Sequence, residues 1–532
     1  MAKGLAYQPL TNLGVNGLNL QHNPSTLDNS WLTSANNIML RESGRISFRK
    51  GLKQKVVPTG TAIASLVEHN DQGTNKIFAS YGTSIYTIDF TSPNAAFPAS
   101  GADVKHTVSG SSGDWQFVNF NNRLHCFHEG IVPQRYDGAL GSGSKWAAFD
   151  NSTKPSGVTD FDPSCGMGYY GRMFVGGVTE EKDVVHYSVL LDSDDFTGSG
   201  SGLIDLKKVW GTDEIVNIAA FFGKLVIFGK NNIAVYDNPM DIANATLDEI
   251  ISGIGLVHRD TVQAVGDDLV FLSDTGLRSL SRTTEKDKLP LTDYSLNIKD
   301  TLIRHIGQST NVRSVYVENE GVYILSFIDK NTTYAFDFKH FTPNKVPRVT
   351  TWTFTTDREP ASMAYTKLYS GLLVGQKDGG IAGYEGYYDT DLAWVDSAAS
   401  YTNGTFTSDI SSIWINLGQG VQAALLKRMI LVLEGGSGAT LGLKWYKDFS
   451  DSASETTSIS LRPATTGTTA LWGDSDSLYG TSKYSPIYGL REYKTPLTGS
   501  AKHLKLNMSI ESNGYDVSIQ NLTLLHKEGK IR

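Results

Sequence analysis

The stretch NIAAFFGKLVIFGKNNIAVYD, residues 217–237, decides the fold class of this chain. It predicts three short apolar strands separated by two tight turns. The same order of strand, turn, strand, turn and strand recurs at residues 262–281 and 312–338. No single unit of this kind can bury both of its faces, so the units must stack around an axis. The repeat therefore predicts a β-propeller in a chain that is mainly β.

Weaker copies of the repeat extend the propeller in both directions along the chain. They start near Ile63, Phe117, Gly166 and Ala361, at a spacing of about fifty residues. Gly and Asp occupy turns such as residues 266–268, where backbone with positive φ is needed. We therefore expect six or seven blades between residues 59 and 390.

The two flanking regions do not follow the repeat. Residues 1–58 are polar with scattered apolar positions, which predicts a segment that packs against the ring. Longer apolar strands appear from about residue 400, so we expect residues 391–532 to form an antiparallel β-sandwich-like or barrel-like domain. Within it, residues 503–510 alternate apolar and polar side chains, and the Asn513-Gly514 turn that follows predicts a hairpin with the last strand.

Two further local patterns make testable predictions. The best helical periodicity lies at residues 245–251 and 296–306, and both stretches are short. In residues 44–54 apolar and polar positions alternate, which predicts a strand with one charged face. The charges of that face are Arg45 and Arg49, with Ser47 between them. Two interpretations stay open: a cluster of Arg45, Arg49 and Lys50 that pairs with acidic residues of a neighbouring molecule, or a solvated strand face.

The composition limits the classes of function. With 40% hydrophobic and 19% charged residues, the chain is globular rather than disordered. A net charge of −8 argues against tight wrapping of nucleic acid but is compatible with a channel through which DNA slides. Only Cys126 and Cys165 are present, which predicts buried thiols rather than a secreted disulfide framework. We find no signal-peptide pattern and no apolar run of about 18 residues, so we expect no membrane span and folding in a reducing cytoplasm.

A search for catalytic or ligand-binding motifs finds none. Residues 138–145, GALGSGSK, lack the Gly-Lys-Ser/Thr order of a phosphate loop. His125 and His128 are the closest histidines, and on a strand they point to opposite faces, which does not suit a metal. Adjacent acidic pairs such as Asp194-Asp195 are explained by turn chemistry. The sequence therefore predicts no catalytic residue, no metal site and no cofactor, so we do not expect an enzyme.

Residues 17–51, GLNLQHNPSTLDNSWLTSANNIMLRESGRISFRKG, resemble the opening of one family of viral proteins. These are the tail nozzle proteins, also called tubular protein B-like or tail stabilisation proteins, of short-tailed phages. The matching positions of the first half are Gly17, Gln21, Pro24, Leu27, Ala35, Asn36 and Asn37. Those of the second half are Gly44, Arg45, Arg49, Lys50 and Gly51. The order of N-terminal segment, propeller and β-rich distal region is also similar.

This resemblance implies a structural protein of the virion tail, made in the host cytoplasm. It implies a homohexameric ring below the portal and adaptor rings, with tail fibres or spikes docked on it. The ring would continue the DNA channel, retain the genome and let it pass during ejection. By the same resemblance, the candidate subunit-interface residues are Gly17, Gln21, Pro24, Gly44, Arg45, Arg49, Lys50 and Gly51.

Two other functions are compatible with a propeller. A carbohydrate-binding or carbohydrate-cleaving receptor-binding component of a tail would use some of the 9 Trp and 24 Tyr residues and the long polar loops. Most of those aromatic residues, however, fall within predicted strands, where packing explains them. An intracellular interaction propeller of the WD or kelch type is less favoured, because the repeats lack a Trp-Asp ending and paired glycines.

Overall fold

The computed structural model is mainly β, with 53% strand and 7% helix. It describes residues 5–41, 45–88, 97, 104–140, 144–281, 293–389, 404–417, 422–436, 438–461 and 490–529. Gly44 lies outside these residues. The described helices are α1 (Lys207–Trp210) and α2 (Lys299–Ile306). No helix in the described ranges is long and apolar enough to cross a membrane.

Six strands precede the repeats. They are β1 (Ala6–Pro9), β2 (Gly17–Leu18), β3 (Trp31–Asn36), β4 (Ile38–Leu40), β5 (Ile46–Phe48) and β6 (Leu52–Val56). The described part of residues 1–58 therefore contributes six strands to sheets, although local hydrophobic periodicity is weak there. Among themselves, β2 pairs with β3 and β4 pairs with β5, and the other partners of these strands lie far away along the chain, in the last two blades or in the C-terminal region.

The propeller prediction is confirmed. Four consecutive four-stranded blades come first. Blade 1 has β7 (Ser65–Asp71), β8 (Thr74–Tyr81), β9 (Ser84–Ile88) and β10 (Lys105–Thr107), and blade 2 has β11 (Gln116–Phe120), β12 (Arg123–His128), β13 (Ile131–Tyr136) and β14 (Trp146–Ala148). Blade 3 has β15 (Cys165–Tyr169), β16 (Arg172–Gly176), β17 (Val184–Tyr187) and β18 (Gly202–Asp205), and blade 4 has β19 (Ile215–Phe221), β20 (Lys224–Gly229), β21 (Asn232–Asp237) and β22 (Thr246–Ser252).

A three-stranded sheet and two more blades complete the ring. The three-stranded sheet has β23 (Gln263–Val265), β24 (Asp268–Ser273) and β25 (Gly276–Ser279); blade 5 has β26 (Val312–Val317), β27 (Val322–Phe327), β28 (Thr332–Phe341) and β29 (Pro347–Trp352); and blade 6 has β30 (Pro360–Thr366), β31 (Gly371–Gln376) and β32 (Ile381–Tyr384) together with β6. All neighbours within these sheets are antiparallel.

Apolar side chains between adjacent sheets hold the ring together. Phe228 of blade 4 and Phe271 of the three-stranded sheet, for example, are fully buried with ring centroids 5.1 Å apart. The other side of the three-stranded sheet packs Leu272 into the same core as Tyr323 and Leu325 of blade 5. This sheet thus fills one place in the ring, which agrees with the expected six or seven blades.

The N-terminal strand β6 closes the propeller. It pairs antiparallel with β32, with Val56 opposite Ile381, and forms the outer strand of blade 6. Residues 52–56 of the predicted N-terminal segment therefore belong to a blade. Closure by a strand from the start of the chain joins the first and last parts of the propeller by backbone hydrogen bonds.

The C-terminal strands form a sandwich of two sheets. They are β33 (Thr407–Ser412), β34 (Ile415–Asn416), β35 (Ala424–Gly435), β36 (Thr440–Lys447), β37 (Glu455–Ser460), β38 (Leu490–Pro496), β39 (Ser500–Ala501), β40 (His503–Glu511) and β41 (Val517–Glu528). One sheet has the order β38-β35-β41-β5-β4, with β1 and β39 at its sides. Alternate residues of β35, β36, β40 and β41 fill one shared core.

The second sheet of the sandwich is continuous with the propeller. Its eleven strands run from blade 5 through β2 and β3 into β33, β40, β36 and β37. The strand β2 lies parallel to both β29 and β3, where Gly17 is the register partner of Val349 and of Trp31. Propeller and sandwich are therefore joined by sheet hydrogen bonds as well as by the covalent chain.

Three local predictions are wrong for identifiable reasons. Residues 245–251 fall in β22 rather than a helix, because pairing with β21 overrides a weak helical period. The Asn513-Gly514 turn is present, with Gly514 at φ 87°, but β40 and β41 lie in different sheets, so it connects two layers and is not a hairpin. The charged face predicted in residues 44–54 is absent from β5, because Ile46, Ser47 and Phe48 are all buried. Both sides of this strand are covered by other parts of the protein, so neither side faces water. The helix at 296–306 and the inward alternation of residues 503–510 are confirmed.

The buried histidine of blade 2 predicts a pH dependence of stability. Burial, together with Arg123 and Arg135, lowers the pKa of His125 to about 3 from its ordinary 6.5. Between pH 6.5 and about pH 3, His125 is therefore protonated in the unfolded chain but neutral in the folded chain. The free energy of unfolding falls as the pH is lowered through this range. Between pH 7 and pH 4.5, we expect the free energy of unfolding to fall by about 2–3 kcal/mol less in His125→Gln than in the wild type. The measurement is urea unfolding at both pH values.

The matched control is His128→Gln in the same strand, because His128 is only partly buried and lies at its end. This variant should lose stability on acidification as the wild type does. Equal acid sensitivity of His125→Gln and the wild type would contradict the assignment.

Candidate functional site

The junction between propeller and sandwich is built around one buried guanidinium. Arg49 follows β5 and has no exposed side-chain surface. Its Nη2 donates to Asp389 Oδ1 at 2.7 Å and to the carbonyl oxygen of Thr353 at 2.9 Å. Its Nε donates to Asn37 Oδ1 at 2.9 Å, and its Nη1 donates to the carbonyl oxygen of Lys50. A buried cation is stable only with such partners, and here each of its nitrogens has one.

Two aromatic rings enclose the same guanidinium. Its carbon lies 4.5 Å from the ring centroid of Phe354 and 4.1 Å from that of Phe406. Phe354 follows blade 5, and Phe406 lies just before β33 of the sandwich. The planar cation thus stacks between the two modules, which an ammonium group cannot reproduce.

Asp389 and Asn37 extend these contacts to the backbone. Asp389 Oδ2 accepts from the N–H and the hydroxyl of Thr355 at 2.6 and 2.7 Å. Asn37 adopts a left-handed conformation with φ 56°, and its amide nitrogen donates to the carbonyl oxygen of Thr407 at 2.8 Å. We call Asn37, Arg49, Phe354, Asp389 and Phe406 the junction network. It connects the N-terminal segment, the ends of two blades and the start of the sandwich.

Two glycines of the N-terminal segment occupy places that exclude a side chain. Gly17 has φ 80°, and a Cβ there would lie 2.7 Å from the carbonyl oxygen of Val349. A Cβ added at Gly51 would overlap the carbonyl oxygen of Tyr388, and the Gly51 N–H donates to the carbonyl oxygen of Gly386 at 2.7 Å. Both glycines therefore serve close contacts within the chain.

The remaining candidate interface residues are spread over the surface. Gln21 bonds Asp300 of α2 at 3.0 Å, and the carbonyl oxygen of Pro24 accepts from the N–H of Trp414. Lys50 forms an ion pair with Glu320 at 2.7 Å, and the exposed Arg45 forms one with Glu434 at 3.4 Å. Of the candidates the structure describes, Arg49 and the two glycines are buried within the subunit, whereas these four keep accessible surface. A direct contact with a neighbour stays a prediction for them.

A second cluster of charges joins three separate parts of the propeller. Asp114 precedes the inner strand of blade 2, and its Oδ1 accepts from Arg259 at 2.8 Å and from Arg313 at 2.9 Å. Arg259 lies before β23, and Arg313 lies on the inner strand of blade 5, so the contacts cross the channel. Asp260 binds the same two cations at 3.0 and 3.2 Å. We call these four residues the cross-channel network.

The cross-channel network shifts the pKa values of its members. Burial alone would lower the pKa of Arg259, but Asp260 and Asp114 outweigh it and hold the pKa above its usual range. Burial alone would raise the pKa of Asp260, but Arg259 and Arg313 outweigh it and lower that pKa. Arg259 and Asp260 therefore both stay charged near neutral pH. The network lines a cleft of about 360 Å³ whose other charges are of both signs.

The described residues offer little for catalysis. Burial raises the pKa of Cys165 to about 12 and that of Cys126 well above its ordinary value, so neither thiol is a ready nucleophile. His125 is buried in blade 2, and His128 bonds Ser112, so the two do not form a ligand pair. Within the described parts of the chain, no group of three or more His, Cys, Asp or Glu residues could hold a metal ion.

Sequence reasoning found the segment of the junction network but not its role. It missed Asp389 and Phe406, because their link to Arg49 spans more than three hundred residues and leaves no local pattern. It also missed the cross-channel network, whose members come from three sheets. The positive φ of Asn37 had one local signal, since Asn is the residue other than Gly that best tolerates this conformation.

Comparison with known proteins gives only distant likenesses. No family model and no curated protein sequence matches the chain. Among solved structures, the WD40 domain of Pan2 from Neurospora crassa matches 63% of this chain and 96% of its own, at 8% identity and a TM-score of 0.38. The extracellular domain of a protein named as a hybrid two component system of B. thetaiotaomicron matches 90% of this chain and 62% of its own, at 10% identity and a TM-score of 0.40. The match thus spans less than two thirds of the second protein, and likeness this low carries no argument about function.

Removing the buried cation tests the junction network. For Arg49→Met we expect a loss of about 3–5 kcal/mol in the free energy of unfolding, because Asp389 is left buried without its partner. Arg49→Lys should also destabilise, since an ammonium cannot bond Asn37 and Thr353 while filling the gap between two rings. The measurement is urea unfolding followed by tryptophan fluorescence.

The control is Arg45→Met, an exposed arginine of the same segment with one ion pair to Glu434. This substitution should lower the free energy of unfolding by no more than about 1 kcal/mol. Similar losses for Arg45→Met and Arg49→Met would contradict the role assigned to the junction network.

Neutralising the shared carboxylate tests the cross-channel network. For Asp114→Asn we expect the free energy of unfolding to fall by about 1–3 kcal/mol. Arg259 and Arg313 each lose a charge-assisted hydrogen bond, and their mutual repulsion is less compensated. Asp160→Asn, at an exposed position, is the control and should change stability by less than about 0.5 kcal/mol. An unchanged melting temperature of Asp114→Asn would show that the ring does not depend on this contact.

Proposed function

We propose that this chain is a non-enzymatic structural subunit of a short-tailed phage tail, the nozzle ring. In this role identical subunits form a homohexamer that continues the DNA channel below the portal and adaptor rings. The ring retains the packaged genome and lets it pass during ejection, and it offers tail fibres or spikes a docking surface. The protein is made in the host cytoplasm and ends in the virion.

One observation carries the proposal: the segment that resembles nozzle proteins is the segment that joins the two modules. Gly17 lies between blade 5 and the sandwich strand β3, Asn37 and Arg49 belong to the junction network, and Gly51 precedes the strand that closes the propeller. These four of the matching positions are thus ones on which the architecture depends, which supports a shared architecture rather than a chance match.

The stiffness of the molecule also supports a structural role. An eleven-stranded sheet passes from blade 5 into the sandwich through hydrogen-bonded neighbouring strands. A subunit that holds a pressurised genome must transmit force without a change of shape, and close-packed sheets deform little. The net charge of −8 further suits a lumen that must not retain DNA by counterion release.

The carbohydrate-binding alternative has less support. Sugar recognition of this kind uses exposed aromatic faces, whereas Trp31, Trp115, Trp146, Trp352 and Trp445 are all buried in the cores. Their packing explains why the propeller and the sandwich need them. No specific arrangement among the described residues favours a glycan over an assembly role.

Electron microscopy of the purified protein tests the proposal. We expect negative-stain images to show six-fold rings with an open lumen, either at high protein concentration or after addition of the tail adaptor of the same phage. Mass photometry should give a mass six times that of the 58.0 kDa chain. The ring is expected because a propeller joined rigidly to a sandwich presents two different surfaces, as head-to-tail closure requires.

Asp160→Asn serves as a control, because it removes an exposed charge that is not among the candidate interface residues and should leave both the fold and the ring unchanged. Single particles of one propeller and one sandwich under every condition, with the adaptor present, would refute the proposal. Glycan-array screening would then be the next experiment.

A further inference from the structure

One face of the propeller carries exposed apolar side chains where turn residues are expected. The turns between the first and second strands of the blades share a face, because the first strand runs in the same direction through each blade. In five sheets this turn has two residues: Gln72-Gly73, Asn121-Asn122, Tyr170-Gly171, Phe222-Gly223 and Gly266-Asp267. Blades 3 and 4 therefore replace small or polar turn residues with Tyr and Phe.

These two aromatic residues are unfavourable in two ways. Tyr170 has φ 44° and Phe222 has φ 45°, a left-handed conformation that suits Gly, Asn or Asp and not a bulky side chain. Their exposed fractions are 44% and 69%, so a large part of each side chain stays in contact with water. Conflict with local preference at two equivalent positions indicates a function outside the fold.

Further apolar side chains adjoin them. Leu190 and Leu191, in the loop of blade 3, are 58% and 65% exposed, and the Leu191 N–H donates to the carbonyl oxygen of Gly171 at 2.6 Å. Met240, in the loop between β21 and β22 on the same face, is 68% exposed. We call Tyr170, Leu190, Leu191, Phe222 and Met240 the tip patch. Apolar clusters of this kind mark interaction sites.

Acidic residues border the tip patch. Residues 188–201 and 237–249 contain no Lys or Arg. Their acidic residues are Asp192, Asp194, Asp195, Asp237, Asp241, Asp248 and Glu249. Asp194 and Asp248 already face Arg135 and Lys224, but Asp192, Asp237 and Asp241 are exposed. The patch therefore fits an apolar surface that carries positive charge.

Such a surface exists on the sandwich of the same chain. The outer side of the seven-stranded sheet exposes Tyr7 (67%), Leu425 (41%) and Leu490 (66%). Exposed Lys527 lies opposite Leu425, and exposed Lys494 lies opposite Ile430, with Lys494 also paired to Glu492 at 2.7 Å. Arg428 adds a further exposed cation. We call this side the outer sheet face.

We propose that the tip patch of one subunit docks on the outer sheet face of the next copy. Apolar side chains of the two surfaces would bury each other, and the acidic border of one would lie against the cations of the other. The surfaces differ and belong to different modules, so the contact is head-to-tail and can close a ring. This inference rests on the proposed ring and names the surfaces that build it.

Two variants that each disable one surface test the contact. Phe222→Asp adds a charge to the tip patch, and Leu425→Asp adds one to the outer sheet face; both side chains are exposed, so the fold should persist. We expect each variant alone to sediment as a monomer under conditions in which the wild type forms rings. An equimolar mixture should give a 1:1 dimer and nothing larger, because each partner retains one intact surface.

Leu368→Asp is the matched control. This residue is 52% exposed in the corresponding turn region of blade 6, outside the tip patch, so the variant should assemble as the wild type does. A second variant, Phe222→Asn, should also remain monomeric. Its melting temperature should be no lower than that of the wild type, because Asn suits the left-handed turn better than Phe does.

The outcomes separate this inference from the proposed function. If Phe222→Asp and Leu425→Asp still form the rings that the wild type forms, the contact between these two surfaces is refuted, but the proposed ring function is not. A mixture that stays monomeric would refute head-to-tail docking between these two surfaces. A wild type that never assembles, alone or with the adaptor, would refute both proposals.

Discussion

The enclosure of one guanidinium is the constraint on which the shape of this protein depends. Arg49 lies between Phe354, at the end of a blade, and Phe406, at the entrance to the sandwich, and its charge is met by Asp389. A buried ion pair often contributes little net stability compared with apolar packing, but it is far less tolerant of displacement. The junction network therefore fixes the relative position of two modules more strictly than an apolar contact would.

The parts of the fold that were predictable are those specified locally. Alternating apolar residues and turns with Gly, Asn or Asp identify blades because period and turn chemistry act over a few residues. The pairing of strands that lie far apart along the chain cannot be read from the local sequence in this way. The Asn513-Gly514 turn shows this, since its sequence specifies a reversal of the chain but not whether the flanking strands pair or enter opposite layers. Arg49 shows it too, because alternation predicts a charged face only where water covers one side of the sheet.

The candidate site follows the same division. The N-terminal segment was recognisable from Gly17 to Gly51, yet its residues act mainly inside the subunit, as close-contact glycines and as a buried cation. The exposed apolar surfaces lie elsewhere, in blades 3 and 4 and on the sandwich. They became visible only when exposure and backbone conformation were known, as for Tyr170 and Phe222.

The closing strand β6 has a consequence for how the chain is made. Its partner β32 emerges late: Gln54 and Ile381 are 327 residues apart, and the backbone pairing of the two strands completes the last blade. At about 5–20 residues per second, a ribosome takes on the order of tens of seconds to make that interval. During this time the open edge of a nearly finished propeller can pair with another nascent chain. Synthesis rate and nascent-chain crowding, rather than final stability, are thus expected to limit the yield of folded subunits.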